Sequence, residues 1–129
     1  DIEDLQSDYI RYGNRILEIY KDICMNPSCL GAKYLFSAIE YCLENPKFAL
    51  RGKVYPYIEE KYNTTYDRVE RAMRHTIDSA CKKGDYDAII SYFGAIIKPS
   101  KGKPTNFEFI DTITNHIRFF ANTKITIAV

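Results

Sequence analysis

The stretch YPYIEEKYNTTYDRVERAMRHTIDSACKKG, residues 55–84, decides the fold. It predicts a short helix and a long helix joined by the polar turn at residues 63–65. Thr64 followed by Asp67 three positions later resembles a capping box, which opens the long helix. At its other end, Lys82 and Lys83 followed by Gly84 predict cations in the last turn and a left-handed cap. Two helices joined in this way are typical of a helix-turn-helix.

The long helix has two unlike faces. At 100° per residue, an apolar stripe would face the core, and a largely basic face would lie opposite. The stripe consists of Val69, Met73, Thr76, Ile77 and Ala80. The opposite face consists of Asp67, Arg71, Arg74, His75, Asp78 and Lys82, with Arg68 and Glu70 on its flanks.

This basic face carries groups that suit recognition of DNA. Arg68, Arg71 and Arg74 lie in the first turns of the helix, which a recognition helix presents to base edges in the major groove. Arginine pairs with guanine O6 and N7, and a glutamate such as Glu70 can accept from cytosine N4. The helix start, with Thr64 and Thr65, suits a phosphate. In the loop at residues 98–103, Lys101 and Lys103 would reach an adjacent phosphate and add salt dependence.

Two observations favour the alternative that this face is an ordinary solvated helix surface whose charges pair within the chain. Glu70 and Arg74 are spaced to form an ion pair within the helix. Asp67 and Asp78 share the basic face and would repel phosphate. A second alternative is a helical protein-protein interaction module that binds protein through the same basic face or through the heptad-patterned helix at residues 2–23.

The flanking segments predict further helices. Residues 2–23 show a heptad pattern of apolar side chains, which indicates either a dimerising or linker helix or an ordinary helix packed on its own domain. Residues 31–44 form another helix, the stretch from Pro46 to Lys53 is irregular, and Pro56 suits the first turn of the next helix. Asp85 caps a brief helix closed by Gly94.

The last helix begins at a capping box formed by Thr105 and Glu108. Its predicted inner face consists of Phe109, Ile113, Ile117 and Phe120. The final segment TKITIAV, residues 123–129, predicts a short strand, a packed arm or disorder. Together these segments predict an all-α, compact domain of about six helices at residues 24–129, containing a helix-turn-helix. An extra N-terminal amphipathic helix precedes it at residues 1–23.

Composition excludes several classes. The chain has 129 residues, of which 46% are hydrophobic and 27% charged, as in one globular domain. Net charge is +1, but residues 1–22 carry −3, so the remainder carries +4. No apolar run approaches a membrane span. The four cysteines form no metal-binding spacing and predict reduced, mostly buried thiols in a cytoplasmic protein. We therefore expect no metal, no cofactor and no membrane.

An enzyme is not supported either. No cysteine has a histidine or asparagine partner in a recognised motif. His116 falls on the apolar side of the last helix, where a core histidine is the expected role rather than a catalytic base.

Three stretches then resemble a known family: YPYIEEKYNTTYDRVERAMRHTI, KGDYDAIISYFG and KPTNFEFI. They are similar to the C-terminal effector domain of the sporulation-initiation response regulators of endospore-forming bacteria, over roughly residues 20–120. The resemblance implies an all-α domain that binds promoter boxes as a transcription factor, with double-stranded DNA and RNA polymerase as partners. It implies that residues 65–83 form the recognition helix, and that the last helix joins subunits as a dimer on DNA. The implied DNA contacts are Arg68, Glu70, Arg71, Arg74 and His75.

Three departures set the chain apart from that pattern. The receiver domain that precedes the effector domain in the family has no counterpart in these residues. Tyr66 and Asp67 replace smaller, neutral residues at the start of the recognition helix. The N-terminal heptad helix and the segment at residues 123–129 do not match. These departures leave open a divergent paralogue that no longer controls sporulation.

Overall fold

The part of the chain that the structure describes folds into helices. The structure is a computed structural model that describes the backbone of residues 2–45, 50–94 and 102–128, and the side chains of residues 12–45, 52–94 and 102–119. Within these ranges there is no strand. The six helices are α1 (Ile2–Asp22), α2 (Leu30–Glu44), α3 (Leu50–Tyr62), α4 (Tyr66–Lys83), α5 (Tyr86–Phe93) and α6 (Asn106–Ala128). The all-α fold predicted from the sequence is confirmed.

Helix α2 lies at the centre of the domain, in contact with α1, α3, α4 and α6. Its residues Leu35, Ala38, Ile39 and Cys42 are all fully buried. The side chain of Tyr20 is buried as well, and its hydroxyl donates a 2.7 Å hydrogen bond to the carbonyl oxygen of Ala32. Removal of α2 would therefore expose apolar surface on four other helices.

The second half of α1 contributes to this core. Ile16, Ile19 and Ile23 are 0–1% exposed and belong to the same cluster as the buried residues of α2. The predicted seam positions Ile2, Leu5 and Tyr9 lie outside the described side chains. The domain boundary after residue 23 stays a prediction.

Helix α3 begins earlier than predicted. It starts at Leu50, so Pro56 lies inside the helix and not in its first turn. A proline costs roughly 3 kcal/mol in a helix interior. Val54, Tyr55 and Ile58 are buried around it, at 0–2% exposure. Burial of an apolar side chain stabilises by about 1.5–3 kcal/mol each, so the three together outweigh the proline.

The end of α6 also differs from the prediction. The helix continues to Ala128, so a strand or disorder at residues 123–128 is wrong, and whether the segment packs as an arm stays a prediction. No glycine or proline interrupts residues 106–128. Because a β-branched residue lowers helix propensity by less than about 0.7 kcal/mol, a helix already formed upstream continues through this segment. Phe109, Ile113 and Ile117 are buried as predicted, and Phe120 lies outside the described side chains.

The predicted caps of α5 and α6 are confirmed. The carboxylate of Asp85 accepts hydrogen bonds from the backbone N–H groups of Asp87 and Ala88, and α5 closes at Gly94. Thr105 and Glu108 form a reciprocal capping box, with backbone-to-side-chain distances of 3.0 and 3.2 Å. These caps fix where α5 and α6 begin.

The cysteines are unpaired, but the prediction that most are buried is wrong. Cys42 is buried, Cys81 is half-buried, and Cys24 and Cys29 are exposed. The two exposed cysteines lie in the connection between α1 and α2, where the chain has no apolar periodicity to turn them inward. Burial raises the pKa of the Cys42 thiol to about 12.

Candidate nucleic-acid interface

The turn between α3 and α4 sets where α4 begins. Asn63 has a φ of 50°, a left-handed conformation that asparagine tolerates better than most residues. The backbone N–H of Thr64 then donates to the carbonyl of Glu59, so Thr64 closes α3. The N-cap of α4 is Thr65, whose hydroxyl oxygen lies 3.4 Å from the backbone nitrogen of Arg68. The predicted capping box of Thr64 and Asp67 is therefore wrong by one residue, and Asp67 takes no part in the cap.

The apolar stripe of α4 faces the core as predicted. Val69, Met73, Ile77 and Ala80 are buried, whereas Thr76 is half-buried. Thr76 faces Gly31 in the first turn of α2. A Cβ atom placed on Gly31 would lie 2.1 Å from the carbonyl oxygen of Ala72 and 2.1 Å from Oγ1 of Thr76. Glycine at position 31 thus permits α2 and α4 to approach more closely than any other residue would.

The end of α4 is fixed by a second glycine. Gly84 has φ −82° and ψ 175°, so the left-handed cap predicted from the sequence is wrong. Glycine is required there for space: an added Cβ atom would lie 2.5 Å from the carbonyl oxygens of Ala80 and Ile23. Lys82 and Lys83 are exposed in the last turn, where cations are favourable.

A contact that the sequence did not predict braces the start of α4. The side-chain amide of Asn106, which is 8% exposed, donates hydrogen bonds of 3.1 Å to the hydroxyl of Tyr55 and to the carbonyl of Glu70. The ring of Tyr55 packs against Tyr66 and Phe107, at centroid distances of 4.7 and 5.4 Å. Burial raises the pKa of the Tyr55 hydroxyl, which stays protonated. Asn106 therefore joins α3, α4 and α6 at one point.

The basic edge of α4 borders an open groove. The groove has a volume of about 730 Å³. One of its walls is formed by three exposed side chains of α4: Arg68, Arg71 and His75. Among the described residues, these three side chains have no ion-pair or hydrogen-bond partner. Ala72 of α4 also lines the groove, and the remaining lining residues come from α2 and from the end of α3 and its turn: Leu30, Tyr34, Tyr62, Asn63 and Thr64.

Two other predicted DNA contacts already have partners within the chain. Arg74 forms a 3.0 Å ion pair with Glu70, as their spacing predicts. Lys103 forms a 2.9 Å ion pair with Asp78 of α4, which no local pattern predicts. Lys101 lies outside the described residues. The pairs neutralise two of the three acids that α4 carries beside its basic face.

The histidine of α6 has a structural environment. His116 is half-buried, with its ring 5.0 Å from the ring of Tyr92 and its Nε2 3.2 Å from a guanidinium nitrogen of Arg15. Burial, and then the charge of Arg15, lower the pKa of His116. The neutral ring accepts a hydrogen bond from the arginine, so His116 links α1, α5 and α6.

Among the described residues, no group of three or more histidine, cysteine, aspartate or glutamate side chains is arranged to hold a metal ion. None of the described helices is both long enough and apolar enough to cross a lipid bilayer.

Comparison with protein families gives a match over most of the chain. The family described as "Sporulation initiation factor Spo0A C terminal" matches residues 16–117. The matched range begins in the second half of α1, contains α2 to α5 entirely and ends within α6. The resemblance seen in the sequence is thereby confirmed. This family implies DNA binding, regulation of transcription and sporulation.

Proposed function

The chain belongs to the family of sporulation initiation factor Spo0A C-terminal domains, and from that membership we propose that it binds double-stranded DNA sequence-specifically and regulates transcription. Helix α4 enters the major groove and reads promoter boxes, with α3 and the turn at residues 63–65 lying against the backbone. RNA polymerase is the further partner through which such a regulator acts. Because a protein meets both partners in the cytoplasm, we propose that this protein is cytoplasmic.

The observation that carries this proposal is the unpaired state of Arg68, Arg71 and His75 on one edge of α4. A cation held in an internal ion pair must break that pair before it contacts DNA. These three need not, since no described residue pairs with them. They are also exposed and lie in the first three turns of a helix whose opposite face is fully buried. This is the part of a recognition helix that meets base edges.

The other predicted contacts take distinct roles in the proposal. Thr64 and Thr65 flank the free N–H groups at the start of α4 and suit a phosphate. Arg74 and Glu70 act as a pair, so that a base contact from either one requires rearrangement of the 3.0 Å ion pair. Lys82 is exposed near the end of α4 and suits a phosphate on the far side of the groove.

Fluorescence anisotropy on duplex DNA at two salt concentrations tests the proposal. A chain that neutralises Z phosphates loses affinity with a slope of about −0.9Z in log salt. The Arg71→Ala variant is expected to lose about 1–3 kcal/mol of binding free energy and to relax the preference at one base pair. Lys21→Ala, which removes an exposed cation from α1, is the charge-matched control and is expected to bind like the wild type.

The outcomes of this titration separate the alternatives. Absence of binding at low salt contradicts the proposal and favours an interaction module that binds protein. Equal weakening of Arg71→Ala on all sequences assigns Arg71 to a phosphate instead of a base.

We also propose that two chains bind tandem boxes as a dimer through α6, as the family resemblance implies. Sedimentation of the chain on duplexes with one or two boxes measures the stoichiometry. Independent binding of two chains with equal affinity would contradict the dimer.

A further inference from the structure

The acidic residues of α4 differ in whether they are neutralised. Glu70 is paired with Arg74 at 3.0 Å, and Asp78 is paired with Lys103 at 2.9 Å. Asp67, which is exposed, has neither an ion-pair nor a hydrogen-bond partner among the described residues. Asp67 is thus the one acid of α4 whose negative charge has no partner among the described residues, and it lies on the exposed face of the helix.

Asp67 lies in the first turn of α4, next to the arginines that the proposed function assigns to base edges. It is the second residue of α4, one position before Arg68 and four before Arg71. The cap does not need it, because the hydroxyl of Thr65 already accepts from the backbone N–H of Arg68. Its carboxylate therefore remains available to a ligand beside two unpaired arginines.

The chemistry of a carboxylate limits what it can meet in the major groove. An ionised carboxylate only accepts hydrogen bonds. Placed against a phosphate or against guanine O6 or thymine O4, it faces another acceptor and pays for desolvation without a partner. The donors in the major groove are the amino groups N4 of cytosine and N6 of adenine. A carboxylate brought into the groove is compatible with these two bases and excludes the others.

We propose that Asp67 is a specificity-determining residue, whose carboxylate accepts a hydrogen bond from the exocyclic amino group of cytosine or adenine at one position of the DNA site. This inference rests on the proposed function of α4 as the recognition helix. It adds a contact opposite in sign to those of Arg68 and Arg71: the arginines select guanine, and Asp67 rejects guanine and thymine at its own position.

Selection from a randomised duplex pool tests this role. The wild type, Asp67→Ala and Asp87→Ala are each used to enrich sequences, and affinities are then measured on the selected site and on its single-base variants. Asp87 is the matched control. Like Asp67, it is exposed, it is the second residue of its helix and it directly follows a tyrosine. Any general loss of helix stabilisation by a first-turn carboxylate appears in both variants.

The expected result is confined to Asp67→Ala. At one position, the wild type prefers cytosine or adenine by roughly 5- to 150-fold, the range of a good base contact, and Asp67→Ala loses that preference. Asp87→Ala retains it. Equal tightening of Asp67→Ala on all sequences would overturn the inference, because the carboxylate would then only repel phosphate.

An unchanged base preference in Asp67→Ala would also overturn it, while the proposed function would stand as long as the wild type binds. If the wild type enriches no sequence, both the proposed function and this inference fail.

Discussion

Substitution of Gly31 by alanine tests how α4 is held against the core. The added Cβ atom would lie 2.1 Å from the carbonyl oxygen of Ala72, and contacts below 3.0 Å are essentially never seen for real Cβ atoms. The first turn of α2 and the middle of α4 must therefore separate by roughly 0.9 Å or more. The opposing atom belongs to the backbone, so no rotation of a side chain relieves the clash. Overpacking of this kind typically costs about 1–3 kcal/mol.

The gain in helix propensity offsets only part of that cost. Alanine is favoured over glycine by about 0.8–1.0 kcal/mol in a helix interior, and Gly31 lies in the first turn, where the gain is smaller. We expect Gly31→Ala to lower the free energy of unfolding by about 1–3 kcal/mol in a urea titration. Gly52→Ala is the control, because Gly52 lies within α3 and has nothing within 4 Å of an added Cβ atom.

The control variant is expected to be more stable than the wild type, by about 0.4–1 kcal/mol. DNA affinity is expected to fall in Gly31→Ala and to stay unchanged in Gly52→Ala, since only the first shifts α4. A Gly31→Ala variant as stable as Gly52→Ala would refute the reasoning, because α2 and α4 would then have room that the structure does not show.

Two further predictions concern charged groups. Lys103→Ala is expected to weaken DNA binding by uncovering Asp78, and addition of Asp78→Asn is expected to restore it in anisotropy titrations; a double variant as weak as Lys103→Ala would mean that Lys103 contacts DNA directly. The pKa of His116 is lowered below its ordinary value of 6.5 by burial and by Arg15. As the pH falls through 6.5, the unfolded chain therefore binds more protons than the folded chain, and the free energy of unfolding decreases. His116→Gln is expected to lose that pH dependence in urea titrations at several pH values.

The sequence predicted α4 well because its signals are local. Val69, Met73 and Ile77 recur at the helical period, and all three are buried. The ion pair of Glu70 and Arg74 follows from their spacing in the same way. Such features depend only on residues within a few turns of one another. In α4, tertiary packing agrees with these local signals.

Features that depend on distant residues could not be predicted. Lys103 is 25 positions from Asp78 in the chain, so no periodic pattern relates the two, and the sequence does not predict their ion pair. Asn106 was likewise recognised only as part of a motif, and its hydrogen bonds to Tyr55 and Glu70 were missed. The prediction of where α3 begins was wrong for the same reason, because burial of Val54 and Tyr55 outweighs the local signal of Pro56.

Helix α4 is held against the core at three points, and this affects how its arginines contribute to binding. The helix is held near its middle by the approach at Gly31, at its end by Gly84 against Ile23, and near its start by Asn106. Binding therefore need not order the helix, and the remaining conformational cost lies in the side chains. An arginine carries about 2 kcal/mol of rotamer entropy, and a good bidentate base contact discriminates by about 1–3 kcal/mol. These two terms are of similar size, so the loss of rotamer entropy offsets part of what Arg68 and Arg71 contribute to affinity. The rest of the affinity comes from phosphate contacts and the release of counterions, which the salt dependence of binding measures.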